Sequence, residues 1–484
     1  MKRMKPTNLI AFFLILSSQL FAAPQDEHEW LYAWVDHLSL RDSPSLQAKV
    51  KGYLAEGQAV LWEMEQSQHT TKVKLRGKTY DKAWYKVTVG GKEAWVHAGG
   101  LQKSSPRFSE AELSGKKADW FDSPAKRFKW WNSLSPAWQE AFDGGVWSRY
   151  DDPEVLQPSD EEISRLFKET SLYLESEPPC EASYFQGDLM DLSGVQNLSK
   201  LNELTIAGTQ LEDISALAEL PALTILELRE CELASGWAVL SHLPRLEKLN
   251  LSFNKIPNLN EFPALPSLEV LNLSTSELES TEGLKRFPIL NQIDLSGNFI
   301  EKLSDFQKLT LLSDANVSSN KLSHLNELQN LKALSSVNAG YNEIDNIQGL
   351  TSLPALTYVY LEGNHIEDLS PLKGKAQLEY LNLGENPIGN LEVFSKLLPL
   401  ESLTILNLSR CDLDGLASLK NLPNLQHLEL FGCTEESFGV LKSFPSLESI
   451  GWDDLSSGDG TAAMRDILEK DGIEIHSEYE GCGC

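Results

Sequence analysis

The segment LEKLNLSFNKI, residues Leu246–Ile256, decides the fold because its pattern recurs twelve times between Leu201 and Trp452. The spacing is 22 residues, with two longer steps of 23 and 25. Further clear copies begin at Leu268, Leu290, Leu378 and Leu403. A unit of this length is too short to bury its own apolar side, so the units must stack into a continuous solenoid.

Each unit predicts one short strand of a parallel sheet. Side chains alternate along a strand, so Leu249 and Leu251 point into the core and Asn250 faces outward on a concave surface. Behind the strands, short helical turns end at a recurring proline, which directs the chain into the next strand. These prolines are Pro221, Pro244, Pro266, Pro288, Pro354, Pro423 and Pro445.

The repeat is similar to the internalin-like, 22-residue class of bacterial leucine-rich repeats, and the similarity covers more than half of the chain. The resemblance rests on the Leu-x-x-Leu-x-Leu-x-x-Asn-x-Ile pattern of Leu246–Ile256 and its copies. It implies an α/β leucine-rich repeat solenoid over residues 181–454, with residues 455–484 as a terminal cap and tail. It also implies that the concave sheet binds another protein.

The outward residues predict where a partner binds. The central column is mostly small and polar, and reads Thr205, Glu227, Asn250, Asn272, Asp294, Asn316, Asn338, Tyr360, Asn382, Asn407, Glu429 and Gly451. It changes character where aromatic and acidic residues gather, namely Tyr341, Tyr358, Tyr360, Glu362, Tyr380 and Glu385. A second, smaller group is Arg410, His427 and Phe431. Tyrosine combines contact area with a polar tip, so both groups are candidate binding residues, with mutual stacking as the alternative.

Residues 29–103 predict a small all-β barrel. Strands are expected at Leu38–Arg41, Val50–Leu54 and Ala59–Trp62, followed by a hairpin over Trp84–Val96 with a two-glycine turn. HLSLRDSPS, LAEGQAV and AWYKVTVGGKEAWVHAGGL resemble the bacterial Src-homology-three family. That resemblance implies binding of cell-wall peptides or an accessory role in the envelope. The insertion from Gln66 to Lys82 departs from the family pattern and lies beside its usual ligand groove.

Residues 107–180 predict a helical, tryptophan-rich segment. Ser135-Pro136 should begin a helix that runs to about Phe142, and a capping box at Ser159 and Glu162 should begin another that runs to about Thr170. Trp120, Trp130, Trp131, Trp138 and Trp147 suit a small core, with an aromatic ligand site as the alternative. WNSLSPAWQEAF resembles the helical segment that precedes some bacterial leucine-rich repeats, which implies a cap on the apolar end of the stack.

The charge distribution indicates which classes of partner the protein can bind. The formal net charge is −28, and residues 201–484 contain 18 Lys and Arg against 42 Asp and Glu. A nucleic-acid partner requires the opposite sign, so none is expected. The acidic solenoid suits a basic partner or loosely held divalent cations, or it serves solubility alone.

Residues 1–23 resemble a secretory signal. A basic start at Lys2, Arg3 and Lys5 precedes the apolar run Leu9–Leu16 and the small-residue site Ala22-Ala23. No later apolar run approaches the roughly 20 residues of a membrane span. We therefore expect an exported protein, periplasmic or extracellular, without a membrane span.

The cysteines follow the repeat register. Cys231, Cys411 and Cys433 occupy the inward column that elsewhere holds asparagine, such as Asn254. They are expected to be buried thiols, with a Cys411–Cys433 disulfide left open because the two are stacked neighbours. The remaining cysteines are Cys180, Cys482 and Cys484, which lie at opposite poles of the stack. The last two end the chain either as a tail or as a redox or metal-binding pair.

No catalytic motif is present. The sequence contains no His-Glu-x-x-His, no Gly-x-Ser-x-Gly and no phosphate-binding loop, and we expect no cofactor and no metal site. The favoured hypothesis is an exported, non-catalytic protein that binds a protein partner through the solenoid. The alternative is a peptidoglycan-binding protein or an accessory of an envelope enzyme. An unrecognised hydrolase is the least favoured hypothesis.

Overall fold

The computed structural model describes residues 29–89, 91–147, 157–175, 189–397, 399–433, 435–452, 468–470 and 472–476. These residues form two compact units, one within residues 29–134 and 157–167 and the other within residues 135–147 and 168–476. The signal segment 1–23, Cys180, Cys482, Cys484 and most of the predicted terminal cap and tail, residues 455–484, lie outside the described residues. Among the described residues, no helix has the length and apolar character needed to span a bilayer.

The first unit is built on antiparallel strands. They are β1 (Glu29–Ala33), β2 (Leu38–Arg41), β3 (Val50–Leu54), β4 (Ala59–Gln66), β5 (Thr71–Leu75), β6 (Lys78–Lys82), β7 (Trp84–Val89), β8 (Lys92–His97) and β9 (Leu101–Gln102). Seven of them form one sheet in the order β3-β2-β8-β7-β4-β1-β9. The insertion predicted from Gln66 to Lys82 forms the separate β5–β6 hairpin, which is anchored where the Thr71 carbonyl oxygen lies 2.8 Å from His97 Nε2.

The helices are short and mostly begin where their sequence caps predict. They are α1 (Glu110–Leu113), α2 (Pro124–Ser133), α3 (Pro136–Ala141), α4 (Asp160–Leu166) and α5 (Phe394–Leu397). The Ser135 side chain accepts a hydrogen bond from the Trp138 amide, and Ser159 and Glu162 form the predicted capping box. α4 ends four residues before the predicted Thr170. α3 continues into a π-helical turn, Phe142–Val146, consistent with the predicted end near Phe142.

The tryptophans are mainly core residues. Trp130, Trp131 and Trp138 are buried, whereas Trp120 and Trp147 are only half-buried. In the first unit, Trp130 packs against Phe167, with ring centroids 4.6 Å apart.

The second unit contains a sheet of fourteen parallel strands in chain order. They are β10 (Ser171–Glu175), β11 (Glu203–Ala207), β12 (Ile225–Arg229), β13 (Lys248–Asn250), β14 (Val270–Asn272), β15 (Gln292–Asp294), β16 (Asp314–Asn316), β17 (Ser336–Asn338), β18 (Tyr358–Tyr360), β19 (Tyr380–Asn382), β20 (Ile405–Asn407), β21 (His427–Glu429), β22 (Ser449–Gly451) and β23 (Glu474–His476). The twelve strands predicted from the repeat are β11 to β22. β10 was not predicted, because its sequence SLYLE continues a helical segment.

Single 3₁₀ turns return the chain behind the strands. Their bounds are Ser215–Glu219, Trp237–His242, Leu284–Arg286, Phe306–Lys308, Asn326–Asn330, Gln348–Leu350, Ser370–Leu372, Leu391–Val393, Leu416–Asn421 and Glu435–Ser443. The two inward positions of each repeat, such as Leu249 and Leu251, are buried as predicted. At the start of the sheet, the buried Trp138 indole donates a hydrogen bond to the Asp191 carbonyl at 3.0 Å, so α3 packs against the first repeat.

The inward asparagine column ties neighbouring repeats together. Asn342 Nδ2 donates to the Val317 and Ala339 carbonyls at 3.1 Å, and its Oδ1 accepts from the Leu322 amide at 3.0 Å. Equivalent bonds are made by Asn298, Asn320, Asn364 and Asn386.

The three described cysteines of this column are free thiols. Cys231 is buried, as predicted, and its burial raises the pKa of the thiol to about 12. Cys411 and Cys433 are only half-buried, because they lie near the end of the stack. Their sulfurs contact backbone carbonyls, with Cys411 Sγ 3.3 Å from the Leu383 oxygen.

Candidate functional site

Three of the predicted tyrosines meet on β18 and β19. Tyr358 pairs in register with Tyr380, and Tyr360 lies diagonally across from Tyr380 on the same face. The rings of Tyr360 and Tyr380 are 4.6 Å apart at their centroids and inclined by 33°. The Tyr358 side chain remains 43% exposed and its hydroxyl donates to Glu379 Oε2 at 3.2 Å. The strand register therefore creates an aromatic centre on the solvent face of the sheet.

Tyr341 lies three residues beyond the end of β17, in the turn that follows this strand. Its backbone is in the left-handed region, with φ of 54°, and its side chain is 54% exposed. A Cβ atom on Gly363 would lie 2.6 Å from Tyr341 Cδ1, so the glycine of the next repeat makes room for the ring. Tyr341 thus extends the aromatic surface along the rim of the sheet.

Glu362 is the most constrained carboxylate of the predicted group. It lies over Gly340 of the preceding repeat, where a Cβ would come within 2.6 Å of the carboxyl carbon. Its Oε2 atom is buried without a hydrogen-bond partner. Burial, and secondarily the charge of Glu385, raise the pKa of Glu362. The surroundings of this carboxyl group therefore disfavour its charged form.

The second predicted group is continuous with the first. Arg410 Nη1 donates to Glu385 Oε1 at 2.6 Å and so links the two groups. His427 Nδ1 lies 2.7 Å from Ser449 Oγ, and Phe431 packs edge-on against His476 at 6.2 Å between ring centroids. The two groups predicted separately therefore belong to one surface.

Glu429 completes this surface, although the sequence analysis assigned it only to the central polar column. Its Oε1 atom accepts from His476 Nε2 at 3.2 Å, whereas its Oε2 atom is buried without a hydrogen-bond partner. A Cβ on Gly451 would lie 1.7 Å from Glu429 Oε2, so the neighbouring glycine is required. In two outward columns, a glycine of one repeat lies next to a glutamate of the adjacent repeat. This pairing is the sequence signal from which the site could have been predicted.

The tyrosine–glutamate surface, as we call it, is defined by Tyr341, Tyr358, Tyr360, Glu362, Tyr380, Glu385, Arg410, His427, Glu429 and Phe431. Its electrostatic character is negative. Burial raises the pKa of Tyr380 to about 12, with further contributions from Tyr360, Glu362 and Glu429. The Tyr380 phenol therefore remains neutral near pH 7.

From β13 to β17 the central column of the sheet face holds only Asn and Asp, and a further exposed tyrosine, Tyr173, lies on β10. β14 to β17 line a shallow depression of about 360 Å³, with Asn272, Asp294, Asn316 and Asn338 on its walls. At the beginning of the sheet, Arg229 forms ion pairs with Glu175 and Glu227. Among the described residues, no group of three His, Cys, Asp or Glu side chains could hold a metal ion.

Comparison with known proteins supports the fold and gives no sequence-level relative. An internalin from Listeria monocytogenes matches with a TM-score of 0.56 and 22% identity, over 72% of this chain and 98% of that chain. The fold of the second unit is a leucine-rich repeat solenoid. A leucine-rich repeat protein from Leptospira interrogans aligns over 71% of this chain and 98% of that chain, with a TM-score of 0.44 and 19% identity. No protein-family model and no curated protein sequence matches this chain.

In this solenoid, the tyrosine–glutamate surface occupies the outward columns of the repeats from β17 to β21. The inward columns hold the leucines and asparagines that maintain the stack. Every residue of the surface can therefore be exchanged without changing the apolar core, which is the arrangement expected of a recognition surface.

Proposed function

We propose that this chain is an exported, non-catalytic recognition protein that binds a protein partner through the tyrosine–glutamate surface. The observation that carries the proposal is the stacked pair Tyr360 and Tyr380, which lies beside strands β13 to β17, whose central column holds only Asn and Asp. Large aromatic side chains with few rotatable bonds dominate the binding energy of protein interfaces.

The rigidity of the support strengthens this proposal. The strands that bear the tyrosines are hydrogen-bonded to both neighbours, and Asn364 and Asn386 lock the turns that follow them. A surface held in one conformation loses little entropy when a partner binds. The exposed Tyr358 and Tyr341 then contribute contact area without prior rearrangement.

The test is crosslinking of the full chain in its native host, followed by identification of attached proteins. The variant Tyr358→Ala/Tyr360→Ala/Tyr380→Ala removes the aromatic centre and should reduce recovery of the partner at least tenfold. The matched control is Gln292→Ala/Asp294→Ala/Asp314→Ala, which truncates side chains at the equivalent outward positions three repeats earlier in the sheet. Recovery equal to wild type in the tyrosine variant would refute the proposed surface.

A second proposal concerns the first unit. We propose that it is a bacterial Src-homology-three-like module that contacts peptidoglycan or a wall peptide. Supporting it is an aromatic group on the β5–β6 hairpin side of the sheet, where Tyr80 meets Trp34 at 5.5 Å and Arg76 lies 5.5 Å over the same indole.

Sedimentation with purified peptidoglycan tests this second role. The full chain should pellet with the polymer, and the Trp34→Ala variant should remain in the supernatant. The Trp34 indole donates to the Gly99 carbonyl at 2.9 Å, so thermal melting of the variant must accompany the assay. A wild-type chain that stays in solution would refute a wall-binding module.

A further inference from the structure

The β5–β6 hairpin is positively charged in a chain whose formal net charge is −28. Residues 71–82 contain five Lys and Arg but a single acidic residue, Asp81. The basic residues are Lys72, Lys74, Arg76, Lys78 and Lys82. Residues 29–103 hold 11 basic and 8 acidic residues, so the hairpin alone accounts for the positive balance of this part of the chain.

The inner face of the hairpin is apolar and fixes it to the barrel. Val73 and Tyr80 are paired across the two strands, and Leu75 lies on the same face. All three side chains are half-buried, and Leu75 packs against the core of the barrel. An isolated two-stranded hairpin is only marginally stable in water, so this packing maintains its shape.

The outer face of the hairpin is basic. Lys72 and Lys74 are exposed on the same side, because they are two residues apart on one strand. Lys78 and Lys82 are exposed at the two ends of β6. Among the described residues these four lysines have no ion-pair partner, and this includes Asp81, which is opposite Lys72 in the register. Their charge is therefore available to a ligand.

The shape of the outer face favours a single extended polyanion. Each strand has five residues, which span about 17 Å, and Lys72 and Lys74 are about 7 Å apart along β5. A strip of this length and two strands in width is much smaller than the roughly 800 Å² that each partner buries in a stable protein interface. Unpaired cations along a narrow strip instead match successive negative groups on a linear polymer.

The residue types argue against two other anionic ligands. Single-stranded nucleic acid binds exposed aromatic rings on which its bases stack, whereas Tyr80 is turned to the inner face, with its ring 5.5 Å from that of Trp34. Attachment to a membrane surface requires apolar side chains that enter the lipid interface. The outer face has none, since it consists of Lys72, Lys74, Thr79 and Asp81. A polysaccharide that bears carboxylate groups needs neither feature.

We propose that the outer face of the β5–β6 hairpin binds an acidic polysaccharide through Lys72 and Lys74, with Lys78 and Lys82 at its edges. This inference rests on the proposed contact of the first unit with the cell wall, and it names the chemistry that the hairpin recognises. Contacts between exposed charges are screened by salt, so the affinity should fall steeply as the ionic strength rises.

The experiment uses the full chain and polygalacturonate, a polysaccharide of carboxylate-bearing sugars, with uncharged dextran as its neutral counterpart. Isothermal titration calorimetry at low and at high salt measures the affinity. The wild-type chain should bind polygalacturonate at low salt only and should not bind dextran. Lys72→Gln/Lys74→Gln should weaken the binding of polygalacturonate by about tenfold or more.

A matched control separates the hairpin from the other lysines of the first unit. Lys49→Gln/Lys92→Gln removes the same charge from two exposed positions. Lys92 begins β8, whereas His97, which anchors the hairpin, ends this strand. The control should change the affinity less than twofold. Equal weakening by the two variants would overturn the proposal, as would equal binding of dextran or tighter binding of a single-stranded oligonucleotide.

Lysines on exposed strands also prevent strands of different molecules from pairing. If that were their only role, Lys72→Gln/Lys74→Gln would aggregate in gel filtration, and its remaining monomer would bind polygalacturonate like wild type. That result would refute the site. We expect a monomer with a wild-type melting temperature and a weakened affinity.

Failure of this site can be distinguished from failure of the proposed wall contact. A wild-type chain that sediments with peptidoglycan but does not bind polygalacturonate would leave the wall contact standing and refute the acidic polysaccharide. A chain that binds polygalacturonate but does not sediment with peptidoglycan would refute the wall-binding module and leave the hairpin site standing.

Discussion

Asn342 offers a quantitative test of how the repeats hold together. Its side chain donates to the carbonyls of Val317, Ala339 and Gly340 and accepts from the amide of Leu322. In the Asn342→Ala variant the three carbonyls keep another donor, because Asn320, Asn364 and the Ser319 amide also bind them. The cost therefore falls on one group, the buried Leu322 amide.

An unpaired buried amide costs about 1–3 kcal/mol, and the small void left by the carboxamide adds to it. We expect Asn342→Ala to lower the free energy of unfolding by about 2–3 kcal/mol. Urea denaturation followed by circular dichroism measures this loss. Hydrogen exchange at the Leu322 amide gives the local readout, since its protection should fall with the loss of its acceptor.

The control is Asn346→Ala, which removes the same side chain at an exposed position of the same repeat. Asn346 only accepts from the Gln348 amide at 2.9 Å in solvent, so its loss should cost less than about 1 kcal/mol. Equal destabilisation by the two variants, or unchanged protection of the Leu322 amide in Asn342→Ala, would contradict the assignment of the asparagine column as the tie between repeats.

Three further outcomes follow from single residues. Glu362→Gln should stabilise the protein at pH 7 by about 1 kcal/mol, because the raised pKa of Glu362 means that its ionisation opposes folding. The gain should disappear below pH 4.5, where Glu362 is protonated in both the folded and the unfolded protein. A gain that persists at that pH would exclude this cause. Cys231 should resist alkylation at pH 8 until guanidinium unfolds the chain, as mass spectrometry of the modified peptide would show. Gly194→Ala would place a Cβ 2.1 Å from Trp138 and should cost about 1–3 kcal/mol in thermal melting, whereas Gly389→Ala meets no atom within 4 Å and should be neutral.

The repeats were predictable because one local rule acts throughout the stack. A 22-residue spacing and alternation of side chains suffice to assign Leu249 and Leu251 to the core and Asn250 to the face. β10 lacks that signal, since Leu172 and Leu174 alternate but no repeat precedes them. It is recognisable only by its parallel register with β11, which is a tertiary property.

The candidate site was only partly predictable. The tyrosines interrupt outward columns that are otherwise mostly polar. Their position on the outward face could therefore be predicted from the repeat register alone. The unpaired oxygens of Glu362 and Glu429 did not, because an unsatisfied acceptor depends on what surrounds it in three dimensions. The link between Arg410 and Glu385 joins residues 25 positions apart, across the longest step of the repeat.

The division between inward and outward columns predicts that stability and binding can be changed separately. Asn342 and Glu362 are twenty residues apart, yet Asn342 ties the stack together and Glu362 lies half-buried on the outward face of the sheet. Replacing the first should loosen the solenoid everywhere near β17, whereas replacing the second should relieve a local cost and remove a contact. An Asn342→Ala variant that loses stability but recovers the partner like wild type, beside a Tyr358→Ala/Tyr360→Ala/Tyr380→Ala variant that keeps its stability but loses the partner, is the pair of results that this division predicts.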